Sequence, residues 1–313
     1  MQKNTVTDHR KEISATRVVI TSFLVDFSDV VLSLIVAVLS GSVIMISQVL
    51  EGLSDLASSG FLLVGLNRSR REPDPAHPFG YGREIYFWAL LSALVMFGIT
   101  ATFSIYLGWQ RFLNPEEVHS LPLTFAVLII TLVTNGYAFL LSWKRLLRRR
   151  SVKRIVEIFY KSSLVETKTT FILDLMGAAA SALGIISLGV YAITGDYRFD
   201  GIGAMLIGFV IAICAVFLVL GIRDLLIGQS ASPEIENKIR EAILDFPEVK
   251  KVLDLKTLHI GIERLLVNVE VYLTGEMRII DIEKLMDDIK AHVQKLVPSV
   301  KHIQVELETP DRK

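Results

Sequence analysis

A chain of 313 residues in which 51% of the side chains are apolar, with a mean hydropathy of +0.49, is too apolar for an ordinary soluble globular domain. Basic and acidic residues balance at 33 each, so local charge carries more information than the total. A single cysteine, Cys214, excludes a disulfide framework and reads as packing inside an apolar run.

The apolarity is uneven and divides the chain into three parts. Residues 1–17 are polar and lack an apolar core followed by a small-residue cleavage site, so no signal peptide is expected. Residues 18–229 carry six long apolar stretches, and 230–313 have the composition of a soluble domain. The pattern predicts a bundle of six transmembrane helices followed by a C-terminal α+β domain.

The first span, about Val18 to Leu39, carries Asp26 and Asp29 on one face, with Ser22 and Ser33 near the same side. Two readings stand: the acids pair with a hydroxyl or basic group inside the bundle, or they line an ion or proton path. Gly41 and Ser42 make a tight turn into the second span, about Val43 to Leu66, which carries Glu51 and Asp55. Four residues apart, these two lie on one helix face, one turn from each other. In hydrocarbon such carboxylates are costly unless something neutralises them. The third span runs from about Ile85 to Trp109, the fourth from Leu121 to Trp143, the fifth from Leu164 to Thr194 and the sixth from Ile202 to Ile227. The fifth contains GAAASALG at 177–184, small residues that let helix backbones approach closely, so it should be central. It also repeats Glu166, Thr170 and Asp174 every four residues along one face.

If Thr170 and Asp174 face Glu51 and Asp55, three carboxylates and a hydroxyl meet within the membrane. Like charges cannot gather there unpaired. Two readings stand: the acids form salt bridges with neighbouring residues, although no Lys or Arg is expected within the spans to serve, or a divalent cation is their partner, with protons replacing it when it leaves. Competition of cation and proton for one site is the thermodynamic basis of antiport.

The short loops set the orientation. Arg68, Arg70, Arg71 and Arg83 lie between spans two and three, and Lys144, Arg145, Arg148, Arg149, Arg150, Lys153, Arg154 and Lys161 between four and five. On the opposite side only Arg111 and Arg198 stand against Glu116, Glu117 and Asp196. The excess predicts that both termini and the C-terminal domain face the cytoplasm; the run 144–154 is also suited to anionic lipid. In that domain a helix should start at Ser232-Pro233 and end near Phe246-Pro247. Strands about 249–258 and 265–273, a helix about 280–296 and a strand about 302–307 should follow. This α-β-β-α-β order fits a small open-faced, ferredoxin-like sheet with both helices on one side. Leu265, Val267, Val269, Val271 and Leu273 alternate with polar positions including Glu270, and Ile303, Val305 and Leu307 alternate with His302, Glu306 and Glu308.

These residues resemble the cation diffusion facilitator family of metal/proton antiporters over nearly the whole chain. The string PDPAHPFGYGREIYFWALLSALVMFGI at 73–99, with FSIYLGW after it, is most similar to the branch that includes the ninth human zinc transporter. The resemblance implies a homodimer whose transport site takes two ligands from span two and two from span five, matching Glu51, Asp55, Thr170 and Asp174. Glu166 is a possible substitute ligand or proton carrier. It further implies weaker metal positions at Asp74 and His77, where the next expected histidine is Tyr81. In the C-terminal domain it points to Glu270, Glu306 and Glu308, with His302 and His259 nearby. Against these stand a structured turn at HPFGYGRE and a solvated or dimer-facing sheet surface. Zinc-transporting relatives commonly place a histidine where Glu51 or Thr170 stands here, and an all-oxygen shell suits manganese, iron(II) or magnesium more readily than zinc. The expected function is export of zinc, manganese or iron(II) from the cytoplasm in exchange for protons, in a bacterial inner membrane. Neither an organic cofactor, nor a nucleic-acid partner, nor an enzymatic step is expected. The rival from another class is a non-transporting assembly partner or metal sensor of the same fold.

Overall fold

The computed structural model describes residues 26–146 and 165–309. The N-terminal segment 1–17, the start of the first span with Ser22, and Arg148, Arg149, Arg150, Lys153, Arg154 and Lys161 lie outside the described residues, as do the side chains of Arg145 and Glu166. Helix α1 occupies 26–40. Then come α2 (Val43–Ser69), α3 (Glu84–Leu113), α4 (Leu121–Leu146), α5 (Val165–Thr194) and α6 (Arg198–Ile227). Helices α2 to α6 are long and apolar enough to cross a membrane. The sixth expected span is represented only by α1, whose beginning falls outside the described residues.

Two compact units divide the chain. One draws on the segments up to Leu62, from Leu90 into α4, and Thr169–Val219; the other on Leu63–Ala89 and the chain from Leu220 onward. Within the first unit, glycines set how closely the helices pack. A Cβ on Gly108 or Gly201 would strike the other residue's carbonyl oxygen at 2.6 or 2.5 Å, so α3 and α6 cross backbone to backbone. Gly184 of α5 admits Ile44 of α2 and Leu128 of α4 in the same way. Of α5's most apolar window 56% is buried, the largest share among the five spans, in keeping with a central position. Large apolar side chains such as Val38, Phe103, Ile193 and Phe217 point outward, as lipid-facing residues do.

Helix α3 carries a π-helical stretch at Met96–Ala101. Such wide turns alter backbone pairing and are frequent beside functional residues.

A second buried feature lies where α1 turns into α2. Gly41 adopts φ +66°, a left-handed conformation open to glycine. Asp200 at the start of α6, fully buried, caps α2: its carboxylate accepts from Ser42 Oγ at 2.6 Å, Val43 N at 2.8 Å and Ile44 N at 3.2 Å. Arg111 Nε lies 3.6 Å from Asp200, while its other nitrogens reach the Gly41 carbonyl and, at 2.8 Å, Glu116. The expectation that no basic side chain lies within the spans is corrected here and elsewhere: Lys168 falls in α5 and Arg223 in α6, inside the expected spans, and Arg111 lies near the end of α3. Helix α3 runs on past Trp109 to Leu113, and Arg111 is 9% exposed.

The second unit contains the C-terminal domain: α7 (Pro233–Leu244), β1 (Val249–Gly261), β2 (Arg264–Leu273), α8 (Ile279–Leu296) and β3 (Val300–Leu307). Sheet order is β1-β2-β3, with β2 antiparallel to β1 and parallel to β3. Helix α8 is the crossover that a parallel pair requires. Period-two burial of Leu265, Val267, Val269 and Val271 meets Ile239, Ala242 and Ile243 of α7 and Leu285, Ile289 and Val293 of α8 in one core. Both helices therefore cover the same sheet face. On β3, Ile303 and Val305 pack against the core, whereas Leu307, the last residue of the strand, is 47% exposed.

Candidate functional site

The acidic site grows from two helix crossings. At the first, a Cβ on Gly52 would meet Val30 Cγ2 at 2.6 Å, so α1 presses on α2 beside Glu51. At the second, a Cβ on Gly177 of α5 would meet Asn135 Nδ2 at 2.7 Å and Glu51 Oε1 at 3.0 Å. Glu51 is 4% exposed, wedged between α2, α4 and α5. Its Oε1 has no hydrogen-bond partner, nor has Oδ1 of Asp55.

Glu51 and Asp55 come within hydrogen-bonding contact of each other. Two carboxyls at that distance must share a proton or a cation. Asp174 is within electrostatic range of Asp55, but its carboxylate engages the Ser142 hydroxyl of α4. The structure thus brings two of the four expected ligands into contact, with Asp174 near Asp55 and engaged by Ser142. Thr170 is half-buried on α5, and the backbone of Glu166 lies one turn before it. Among the described residues no three Asp, Glu, His or Cys side chains converge closely enough to hold a metal ion.

Several polar residues around the acids have no counterpart among the residues the sequence singles out. Gln48, one turn before Glu51, accepts from Ser181 Oγ at 3.1 Å, and Ser181 also lies 3.1 Å from Thr131 Oγ1. Thr100, in the π-helical stretch of α3, donates to the Leu50 carbonyl at 3.3 Å and contacts the Ser54 hydroxyl. It therefore grips α2 at the residues immediately preceding Glu51 and Asp55. An intramembrane amide or hydroxyl is a weaker sequence signal than a charge, which is why Gln48, Asn135 and Thr100 do not stand out in the sequence.

The HPFGYGRE loop is a structured turn. Asp74 accepts from Tyr81 Oη at 2.6 Å, His77 N at 2.7 Å and Ala76 N at 3.0 Å, leaving little capacity for a cation. The His77 ring packs on Tyr81 with centroids 4.2 Å apart. The Tyr81 hydroxyl and then the His77 backbone amide hold the Asp74 carboxyl below its ordinary value. Gly82 faces the β1–β2 turn so closely that a Cβ would collide with the Ile260 carbonyl oxygen, and Phe79 meets His302 edge-on at 5.3 Å.

On the sheet, Glu270 pairs in register with Glu306, and Asp254 of β1 pairs with Glu270 from the other side. Lys256 Nζ sits 2.8 Å from Asp254 and neutralises part of this row. Gln304 Nε2 donates to Glu306 at 3.1 Å, Glu308 follows the end of β3, and His302 turns to Phe79. His259 is buried on β1 in register with Leu265, apart from the Glu270–Glu306 pair.

Comparison with known proteins decides the family. Residues 19–226 match the cation efflux transmembrane domain, and 231–310 match the cation efflux protein cytoplasmic domain. The chain belongs to the cation efflux family. It is an integral membrane protein of a transporter family rather than an enzyme family. Relatives include the mouse "Proton-coupled zinc antiporter SLC30A9, mitochondrial", 28% identical over 76% of this chain and 42% of that protein. Another is "Metal tolerance protein C4" of Arabidopsis thaliana, 25% identical over 76% and 52%. "Cation-efflux pump FieF" of Pectobacterium atrosepticum is 24% identical over 83% and 81%. The chain thus spans less than half the length of the SLC30A9 relatives it matches. Among solved structures, a nickel form of a MamM CTD variant aligns with 26% of this chain and all of its own, at 19% identity and a TM-score of 0.24.

Proposed function

We propose that this protein is a homodimeric antiporter that moves a divalent transition metal, zinc, manganese or iron(II), out of the cytoplasm in exchange for protons. The observation that carries the reading is the Glu51–Asp55 pair: two contacting carboxyls in a membrane span, each with an unpartnered oxygen, opposite a helix that carries Asp174. A cation would draw Asp174 from Ser142 toward Asp55 and complete its shell with Thr170, water or Glu166. Departure of the ion lets protons take its place on the carboxyls, so that cation and protons compete for one site. Similarity to a proton-coupled zinc antiporter supports the coupling, and the absence of histidine from the expected ligand set supports a wider choice of metal. Similarity to a cytoplasmic cation-efflux domain supports dimerisation through 231–310. Asp74 with His77, and Glu270 with Glu306, Glu308 and His302, serve the turn and the sheet surface rather than metal.

Flux into proteoliposomes tests the reading. Purified protein with an internal pH dye is challenged with Zn²⁺, Mn²⁺, Fe²⁺, Co²⁺, Cd²⁺ and Mg²⁺. Saturable uptake with opposed proton movement is expected, abolished in Asp55→Asn and Asp174→Asn. Flat traces for every ion from folded protein would overturn it in favour of an assembly partner or sensor.

A further inference from the structure

The acids of α1 stand outside the ligand set considered so far, yet they share a cavity with it. That cavity is lined by Asp26, Asp29 and Ser33 of α1, Gln48, Glu51 and Asp55 of α2, and Thr131 and Asn135 of α4. The Val30–Gly52 crossing fixes the geometry, since a helix that touches α2 at Val30 must present Asp26 and Asp29 alongside Glu51 and Asp55. Thr134 Oγ1 donates to Asp29 at 3.2 Å and orients it. Glu51 Oε1 and Gln48 Nε2, on residues each 4% exposed, lack partners and line the same space. An acceptor and a donor left unsatisfied at that depth point to an absent polar occupant.

Charge and volume identify its class. Four carboxyls call for a cation, yet no three of them converge on one point. The cavity volume is about 30 Å³, room for two or three waters at roughly 10–15 Å³ each. Hard divalent cations bind in this manner, through one or two carboxylates with water completing the shell, whereas zinc prefers a closed set of nitrogen and sulfur ligands.

We propose that Asp26 and Asp29, with Glu51 and Asp55, form a water-mediated cation site between α1 and α2 that favours hard divalent ions such as Mn²⁺ over Zn²⁺. The proposal rests on the transport reading above and extends its ligand set to α1. The occupant is bound partly hydrated. Asn135 and Thr131 hold its waters from α4, and Gln48 donates to a carboxylate or water on the opposite side.

Mn²⁺ binding to the full-length protein in detergent, followed by loss of the free-ion electron paramagnetic resonance signal, tests it. The D26N/D29N variant is expected to weaken Mn²⁺ binding by about tenfold or more, and Zn²⁺ binding by less. Spin-echo modulation in deuterated water is expected to show at least two exchangeable waters on the bound ion. Asp29→Asn keeps an oxygen for Thr134 and serves if the double variant fails to fold, with the same direction expected. An effect below about threefold while D55N loses binding would overturn the α1 assignment and leave the transport reading intact. A dry bound ion would overturn the hydrated site. Wild-type protein that binds no divalent ion, or D55N that binds as wild type, would instead overturn the transport reading and this proposal with it.

Discussion

Buried charge on single residues makes the sharpest predictions. Asp200 and Arg111 form a buried ion pair at the α1–α2 turn, 3.6 Å apart, each also hydrogen-bonded to that turn, and breaking one partner strands the other. Arg111→Met is expected to cost about 3–5 kcal/mol because Asp200 then lies buried without a counter-charge. Adding Asp200→Asn, which still caps α2 through its side-chain oxygen, should restore part of that loss. Thermal unfolding in detergent of the two single variants and the double variant measures the coupling; strictly additive losses would show that the pair does not act as a unit. The exposed turn offers a pH test of a different kind. Because the folded Asp74 carboxyl lies below its ordinary value of 3.8, it favours the folded turn above that range. The contribution is lost as pH falls through the lower, folded value. Removing the Tyr81 hydroxyl, the largest cause, should move the titration midpoint of the Asp74 carboxyl carbon upward in Tyr81→Phe. An unchanged midpoint would assign the shift to the His77 and Ala76 amides instead.

At the scale of elements, the string HPFGYGRE shows what sequence reasoning can reach. Glycine and proline mark a turn, so that much of the local structure is legible, whereas the closure of Tyr81 and the His77 amide on Asp74 is seen only in the fold. The packing of the string is not legible either, because Gly82 is needed for the approach of Ile260, far along the chain, and no local pattern encodes that distance. Gly82→Ala is therefore expected to loosen the β1–β2 turn, raising amide exchange at Ile260 and Gly261 while leaving the Ile239–Ile289 core protected. Unchanged exchange would mean that the backbone yields elsewhere. The same division runs through the membrane helices. Glu51 and Asp55 announce themselves as charges in an apolar run, and the small residues of α5 announce close packing. Asn135, Gln48 and Thr100 gain meaning only once α4, α2 and α3 are seen to converge. A hydropathy window closes at the last apolar residue and so puts Arg111 in a loop, whereas the helix runs on to Leu113 and Arg111 pairs with Asp200. Leu307 fits the alternation of β3 and is still exposed, since period two assigns a face without showing where its cover ends.

For the whole molecule, the proposed export places the C-terminal domain on the cytoplasmic side. The basic residues Arg68, Arg70, Arg71 and Arg83 lie on one side of α2 and α3, and Glu116 and Glu117 follow the far end of α3. The charge bias predicts that the first loop and the C-terminal domain face the cytoplasm. The sole cysteine, Cys214, is buried in α6, so a Cys214→Ser background removes native reactivity at little expected cost. Two exposed glutamates then report the two sides: Glu117, between α3 and α4, and Glu276, between β2 and α8. In intact cells a membrane-impermeant maleimide is expected to label Glu117→Cys at once and Glu276→Cys only after the membrane is opened. The reverse pattern would turn the molecule over and put the C-terminal domain on the side away from the cytoplasm. Under the proposed antiport, in which ion and proton compete for one acidic site, the coupling would survive that inversion. Labelling therefore separates the chemistry of the site from the orientation of the molecule in the membrane.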